Sequence, residues 1–476
     1  MSIRITVLSL IVAYLSVYAW RDWFRALCGA IVLMAFLEHP DMPRHIFGIL
    51  GLNLWNILLI NVLIGWAQQQ HYEGLQWDAP KKIRTAFLLY CLIIAWAFSR
   101  AFLDPTSFYE FNRTTLLINY FVNPLRFLIP GLLLYHGCRT RERVLWALSA
   151  IMLLYLLLSV QVIRYMGIHV NMSGTDLAAR AAKIIHHSVG YDRVDMSMML
   201  SGASWAMVAF SLLFQNKRLK WSCWGAAGLT LLAQAMTGGR AGYVTWGVTG
   251  LVLGIVRWRK LLPIVPLAAA IVLICLPSVR ERMLYGFGIT RSGPYVEETN
   301  TSEITSGRIE MWPYVIEEIK ESPLIGYGRI AMIRTGLAQR MLDELREEFG
   351  HPHNAYLEML FDNGIIGFAC VIPIYLMLLT RCVSLFRDRH DVLFAAAGGI
   401  GLSLVLALLV AGMGAQTLYP REGVLGMWAA LGVALRVWVE REWLYSTGES
   451  GLAEDPADLD AQSEPLESEA QPLTYV

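Results

Sequence analysis

The sequence predicts an all-α fold, a polytopic integral membrane helical bundle with a large outer loop. Three observations carry that expectation. The 476-residue chain is 56% hydrophobic and only 16% charged, against roughly 25% charged residues in soluble domains, and its mean hydropathy is +0.47. Its apolar residues gather into runs close to the ~17–25 residues that a spanning helix needs. Its basic residues gather in short segments between alternate runs, the pattern of cytoplasmic loops. Sixteen Trp and 20 Tyr suit aromatic belts at the lipid interfaces. A net charge of +1 offers no basic surface for nucleic acid. In lipid every backbone polar group must be satisfied internally, so runs of this length are read as helices.

In chain order the apolar runs cover 3–20, 24–38, 46–66, 85–103, 115–136, 144–164, 194–215, 220–237, 241–256, 259–278, 363–384, 392–412 and 423–440. The first two are short, which leaves about 12–13 transmembrane helices. The opening run resembles a signal peptide but lacks an A-x-A-like cleavage site, and another apolar run follows directly, so it reads as a retained helix. Cytoplasmic placement is expected for Lys81, Lys82 and Arg84, for Arg139, Arg141 and Arg143, for Lys217, Arg218 and Lys220, for Arg257, Arg259 and Lys260, and for Arg387 and Arg389. Arg240 and the whole segment of about 279–362 then fall outside. Thirteen spans would put the N-terminus outside too, so one of the first two runs is expected to be re-entrant or not a span.

The organisation that follows is ten helices in 1–278 with an outer loop at about 165–193, a large outer loop at 279–362, C-terminal helices in 363–440, and a tail at 446–476. The first outer loop, "LAARAAKIIHHSVGYDRVD", reads as a helix and a turn. The second is too long to be a plain connection and must hold structure of its own. In it, Ser302 or Thr305 is placed to cap a helix that Pro323, Gly326 and Gly328 end. "TGLAQRMLDELREEFG" reads as an amphipathic helix closed by Gly350. The last 31 residues carry eight acidic groups and no basic ones, the composition of a disordered cytoplasmic tail. The seven cysteines lie in or beside apolar runs without a CxxC pair, so neither a disulfide nor a thiolate metal site is expected.

Four places could carry chemistry. Arg240, in "TGGRAGYVTW", sits between two apolar runs; it is either a snorkelling boundary residue or a ligand-facing cation, and its preceding glycines suit close helix packing and ligand approach equally. Arg308, in "TSGRIEMW", lies at a predicted helix N-terminus, where a cation is unfavourable unless an anion is also present; a salt bridge with Glu303 or Glu310 is the alternative. In "HPHNAYLEMLFDNG" a helix is expected to begin near His353, with Asn354 and Glu358 on one face; His351 ranks below His353, and Asp362, Gly364 and Gly367 read as a turn into the next run. Arg126, between Pro124 and Pro130, is an intramembrane charge, functional or solvated by the carbonyls those prolines free. Arg240, Arg308 and His353 share the outer face. Two cations and a proton acceptor there suit a phosphate-ester or pyrophosphate leaving group beside a general base. No HExxH, Asp-rich cluster or Cys/His spacing points to a metal, and arginine forks can clamp a diphosphate instead.

The motifs "TGGRAGY", "SGRIEMW…SPLIGYG" and "HPHNAYLEMLFDNGIIG", in that order over about 228–370, resemble the O-antigen ligase and polymerase superfamily of bacterial envelope glycosyltransferases. The chain departs from that pattern at Gly239, where Ser is frequent, at Asp362, where a longer acid is usual, and at Asp195, where Asn is common. The resemblance implies a helical bundle in the bacterial inner membrane with a large periplasmic loop. It implies a glycan donor on undecaprenyl diphosphate, and as acceptor lipid A core, a protein or another glycan. It gives Arg240 and Arg308 the diphosphate and His353 the acceptor proton, with Asn354, His351, Asp362 and Arg126 as supporting candidates and no cofactor. A GT-C type, inverting transfer is expected. The rivals are a repeat-unit polymerase, a protein O-oligosaccharyltransferase, a non-enzymatic transporter and a structural envelope protein. A transporter would more naturally show duplicated halves and paired intramembrane charges.

Overall fold

A computed structural model describes residues 3–46, 48–167, 172–285, 305, 307–346 and 349–447. The proposed caps at Ser302 and the pairing with Glu303 lie outside these residues, as does nearly all of the acidic tail. The described chain is a helical bundle whose strands amount to one two-residue antiparallel pair, His45–Ile46 with Ile49–Leu50.

Every apolar run falls on a helix, but fewer helices than expected have the length and composition to cross a membrane. Seven do: Lys81–Leu103, Arg113–Gly137, Arg141–Met166, Arg193–Leu213, Ala355–Phe386, Val392–Ala411 and Glu422–Thr447. Ile3–Tyr18, Trp23–Leu37 and Arg240–Val256 are apolar but shorter. The run at 259–278 is not a straight span: Arg259–Cys275 and Pro277–Leu284 meet at a 109° bend, where Pro277 opens the second helix and cannot continue the first. The sharp bend thus falls in the tenth run, while the helices of the first two runs are shorter than the seven of spanning length. The run at 46–66 begins as the strand pair and becomes helical only at Leu54, behind the cap Asn53. Val392–Ala411 is buried on nearly all sides, among the helices starting at Arg193, Arg240, Ala355 and Leu425, as its all-round apolarity requires.

The outer segments match their reading in kind. Gly174–Ile184 is a helix, followed by a π turn and Gly190 at φ +96. The Thr305 hydroxyl accepts the Ile309 amide, and the helix Arg308–Glu321 stops before Pro323. The amphipathic helix is Leu337–Leu345 and ends well before Gly350.

The helix expected to begin near His353 starts at Ala355, and the turn expected at Asp362, Gly364 and Gly367 is reduced to a break at Gly364 (φ 64, ψ −171) within a helix that runs on to Phe386. A break strands carbonyls on one side and N–H groups on the other. Here "PLIGY" lies across it and satisfies both. Phe361 and Asp362 carbonyls accept from Tyr327 (2.9 Å) and Gly328 (2.6 Å), while the Ile365 and Ile366 amides donate to Pro323 (2.8 Å) and Leu324 (3.1 Å). A Cβ on Gly364 would stand 2.3 Å from the Leu324 carbonyl carbon. Gly364→Ala therefore combines a clash with a left-handed backbone, and is expected to lower stability by at least about 1–3 kcal/mol, read as an earlier thermal unfolding midpoint in detergent.

Candidate active site

Three helices that start at the same end of the bundle each open with an arginine: Arg193, Arg240 and Arg308. All three line one cleft of about 450 Å³, and Arg282 joins them from the short helix after the 109° bend. Among the described residues that line it, none is acidic. Helix N-termini are already electropositive, so placing cations at three of them repels unless an anion occupies the space between. Such N-termini are ready-made anion sites.

Main-chain carbonyls orient the guanidinium groups. Arg193 and Arg282 donate to Gly238 O (3.2 and 3.3 Å), Arg240 to Tyr285 O (3.1 Å) and Arg308 to Gly414 O (3.1 Å). Among the described residues, no carboxylate lies within salt-bridge distance of Arg193, Arg282 or Arg308. Burial, and then the charge of Arg193, pull the Arg308 pKa below its ordinary value. The cleft thus holds concentrated positive charge that an anion would relieve.

The glycines of "TGGRAGY" serve close packing. A Cβ on Gly239 or Gly242 would meet the Ser197 hydroxyl at 2.4 or 1.9 Å. Ser201 donates to Gly242 O at 2.8 Å. This tight crossing sets Arg240 beside Arg193.

His353 flanks the cleft without lining it. Trp312 lines the cleft and donates its indole N–H to Pro352 O at 3.1 Å. His353 takes a left-handed backbone (φ 48), rare outside glycine and strained when it occurs, and its amide donates to His351 Nδ1 at 3.2 Å. The two rings lie 3.9 Å apart. Burial first, then His351 and Arg308, push the His353 pKa down to about 4; burial first, then Arg421 and Arg329, do the same to His351. Both are neutral near pH 7. His351 acts here on the backbone of His353, a positioning contact.

The other sequence candidates sit elsewhere. Asn354 Oδ1 accepts the Tyr356 and Leu357 amides (3.0 and 3.2 Å), so it caps the helix and does not use that oxygen to hold the imidazole. Asp362 lies inside the helix, paired with Arg329 at 2.9 Å. Arg126 is not a cleft residue. Its Nη1 donates to Asn56 Oδ1 at 2.7 Å, and it stacks on Phe127 and Trp55; a side-chain amide, rather than proline-freed carbonyls, solvates it.

The segment 412–421 ties the site together. Its Gly412 carbonyl accepts the Ala355 amide at 2.8 Å, and its Gly414 carbonyl holds Arg308. Gln416 donates to Glu358 at 2.9 Å and accepts from Arg421 at 3.1 Å, and Arg421 in turn pairs with buried Asp195. Arg193, Arg282, Arg329 and Arg421 were all missed in the sequence. The available signal was the arginine two residues before Asp195, in "YDRVD", and the recurrence of arginine at predicted helix starts.

Beside the cleft lies an apolar cavity of about 650 Å³ that shares Tyr243, Val244 and Met283 with it. One wall is the helix Ile264–Cys275, none of whose residues is buried. Among the described residues no grouping of three or more His, Cys, Asp or Glu is placed to hold a metal.

The bundle and its cleft define a multi-pass membrane protein with an arginine-lined cleft where loop and helix ends meet. Residues 225–372 match the family model described as O-Antigen ligase. The chain is similar to an O-antigen ligase of Pseudomonas aeruginosa, 30% identical over 118 residues, covering 24% of this chain and 28% of that protein. It is also similar to an uncharacterized protein of Haemophilus influenzae, 26% identical over 194 residues, covering 38% of this chain and 48% of that one. The matches span about half or less of the length of these relatives. Over residues 225–372 the chain is thus similar to O-antigen ligases.

Proposed function

We propose that the chain transfers a glycan from an undecaprenyl-diphosphate-linked donor to an acceptor hydroxyl at the periplasmic face of the inner membrane, without a metal. The observation that carries this is the convergence of four arginines in one cleft next to a neutral histidine. The diphosphate lies among Arg193, Arg240, Arg282 and Arg308, and the apolar cavity behind Tyr243 receives the adjoining prenyl chain. The acceptor oxygen attacks the anomeric carbon, forming the new C–O bond as the sugar–diphosphate bond breaks. His353 takes the hydroxyl proton as general base. The arginines stabilise the charge that develops on the departing diphosphate, and one displacement inverts the anomeric centre.

Arg240→Ala and Arg308→Ala are each expected to lower transfer from a lipid-linked donor about 10²–10³-fold, as for other preorganised donors to a developing anion. Lysine at either position keeps the charge but not the bidentate fork and is expected to recover only part. Full activity of both alanine variants in well-expressed membranes would refute the diphosphate assignment. A repeat-unit polymerase would use the same cleft. A labelled lipid-linked repeat that lengthens into chains would identify that acceptor, whereas a single transfer to another acceptor supports the ligase reading.

A further inference from the structure

A second amphipathic site occupies the opposite end of the bundle from the arginine cleft. The helix Lys81–Leu103 meets the site end through its C-terminal half, where Ala97 O accepts the Arg329 amide. Its N-terminus, at the far end, opens with Lys81, Lys82 and Arg84. It has Pro80 as cap, no side-chain capping bond and no acidic residue in the first turn. That combination leaves uncapped N–H groups and three cations together. Directly beneath lies a second apolar cavity of about 410 Å³, bounded by the helices Lys81–Leu103, Arg113–Gly137, Ala355–Phe386 and Glu422–Thr447. Arg84, Trp77 and Ala79 stand at its mouth, and Leu88, Leu132 and Trp428 are farther in.

Two further observations point to an occupant. Trp428 lines this cavity at only 5% exposure, and its indole nitrogen has no hydrogen-bond partner, whereas buried indole N–H groups normally find one. Asp78, which follows the lining residue Trp77, is already shared by Arg139 (2.7 Å) and Arg436 (2.6 Å). The cations of the helix start are therefore not neutralised by it. Leu88 is 56% exposed, so the cavity is open toward the lipid side of its helix.

We propose that this cavity binds a membrane phospholipid with an anionic headgroup, its phosphate on the Lys81–Arg84 helix start and one acyl chain in the apolar slot. The cationic rim selects the headgroup, as basic pockets between membrane helices do. The slot selects a chain over a free phosphate. The site is separate from the glycan-transfer cleft and does not depend on that assignment.

The test uses the purified full chain in zwitterionic detergent, with phosphatidylglycerol, phosphatidylcholine and glycerol phosphate as probes. Native mass spectrometry and thermal unfolding are the readouts. Phosphatidylglycerol is expected to be retained at least about tenfold better than phosphatidylcholine and to raise the unfolding midpoint, with glycerol phosphate doing neither. The triple variant Lys81→Gln, Lys82→Gln, Arg84→Gln is expected to abolish that preference. Leu88→Trp, at an exposed position on the slot, is expected to weaken retention of both lipids. Equal retention of the two lipids by the unaltered chain, or an anionic preference that survives the triple variant, would overturn the proposal. Stabilisation by glycerol phosphate alone would show a headgroup site without a chain slot and would overturn it as well.

Discussion

His353→Asn is expected to fold normally and to lose transfer activity by about 10²–10⁴-fold in kcat, the usual range for removal of a general base, while apparent donor affinity changes little. Asparagine is the informative replacement. It tolerates the left-handed backbone that His353 adopts, so loss of activity is not loss of fold. The donor is held by the arginines, which explains the split between kcat and KM. Wild-type kcat in His353→Asn would sink the base assignment and leave the residue as a polar hinge.

The same residue sets a pH dependence. Its pKa lies near 4, below the ordinary 6.5, through burial and then the cations around it. The neutral, proton-accepting form therefore predominates at neutral pH and below, and kcat/KM is expected to hold from pH 7 toward 5 and then to fall as pH approaches 4. A bound diphosphate offsets the field of Arg308, so the inflection in kcat should lie higher than that in kcat/KM. The stability effect has the same sign. A folded-state pKa below the unfolded value makes burial of neutral His351 and His353 favourable above pH ~6.5, and that contribution is lost as pH falls toward 4. Unfolding of His353→Asn should be less acid-sensitive than that of the parent chain.

The parts of this site that were legible in the sequence were those with a local physical anomaly. Arg308 at a helix start is unfavourable in isolation, which singled it out as either a salt-bridge partner of Glu303 or Glu310 or an anion ligand. Arg240 between two apolar runs drew notice for its charge. Their convergence with Arg193 and Arg282 was not legible, because each of those sits in a polar segment where an arginine is unremarkable, and only the tight Gly239–Ser197 crossing brings them to one cleft. The start of the long helix near His353 was legible, but its continuation past Asp362 into the apolar run was not, since Asp362, Gly364 and Gly367 read as a turn and hydropathy assigns carboxylates to water. In the fold Glu358 and Asp362 are buried, at 3% and 2% exposure, because Arg329, 29 and 33 residues before them, pairs with both. The apolar runs, by contrast, proved helical apart from the strand pair that opens 46–66, since a helix satisfies its own backbone in lipid. What length alone could not reveal was the 109° bend or the break at Gly364, both of which depend on a partner segment.

That buried cation, Arg329, should be the most costly single residue to remove for stability. Its Nη1 lies 2.5 Å from Glu358 and 2.9 Å from Asp362, and its guanidinium sits 3.7 Å above the Tyr419 ring. Burial works against its charge, but the two carboxylates outweigh that and hold its pKa above the ordinary value. Arg329→Met leaves the carboxylates facing each other without a cation, and breaking a buried pair in this way costs about 3–5 kcal/mol. The expected result is a sharply lower unfolding midpoint and poor recovery from membranes at neutral pH. Adding Glu358→Gln and Asp362→Asn removes the stranded charges and should restore much of the stability. It should not restore the full rate, because Glu358 anchors Gln416 in the segment whose Gly414 carbonyl holds Arg308. An Arg329→Met chain that unfolds like the parent at pH 7 would show that the triad carries no such load, and that the alignment of Arg308 with His353 rests on the helix cap at Asn354 alone.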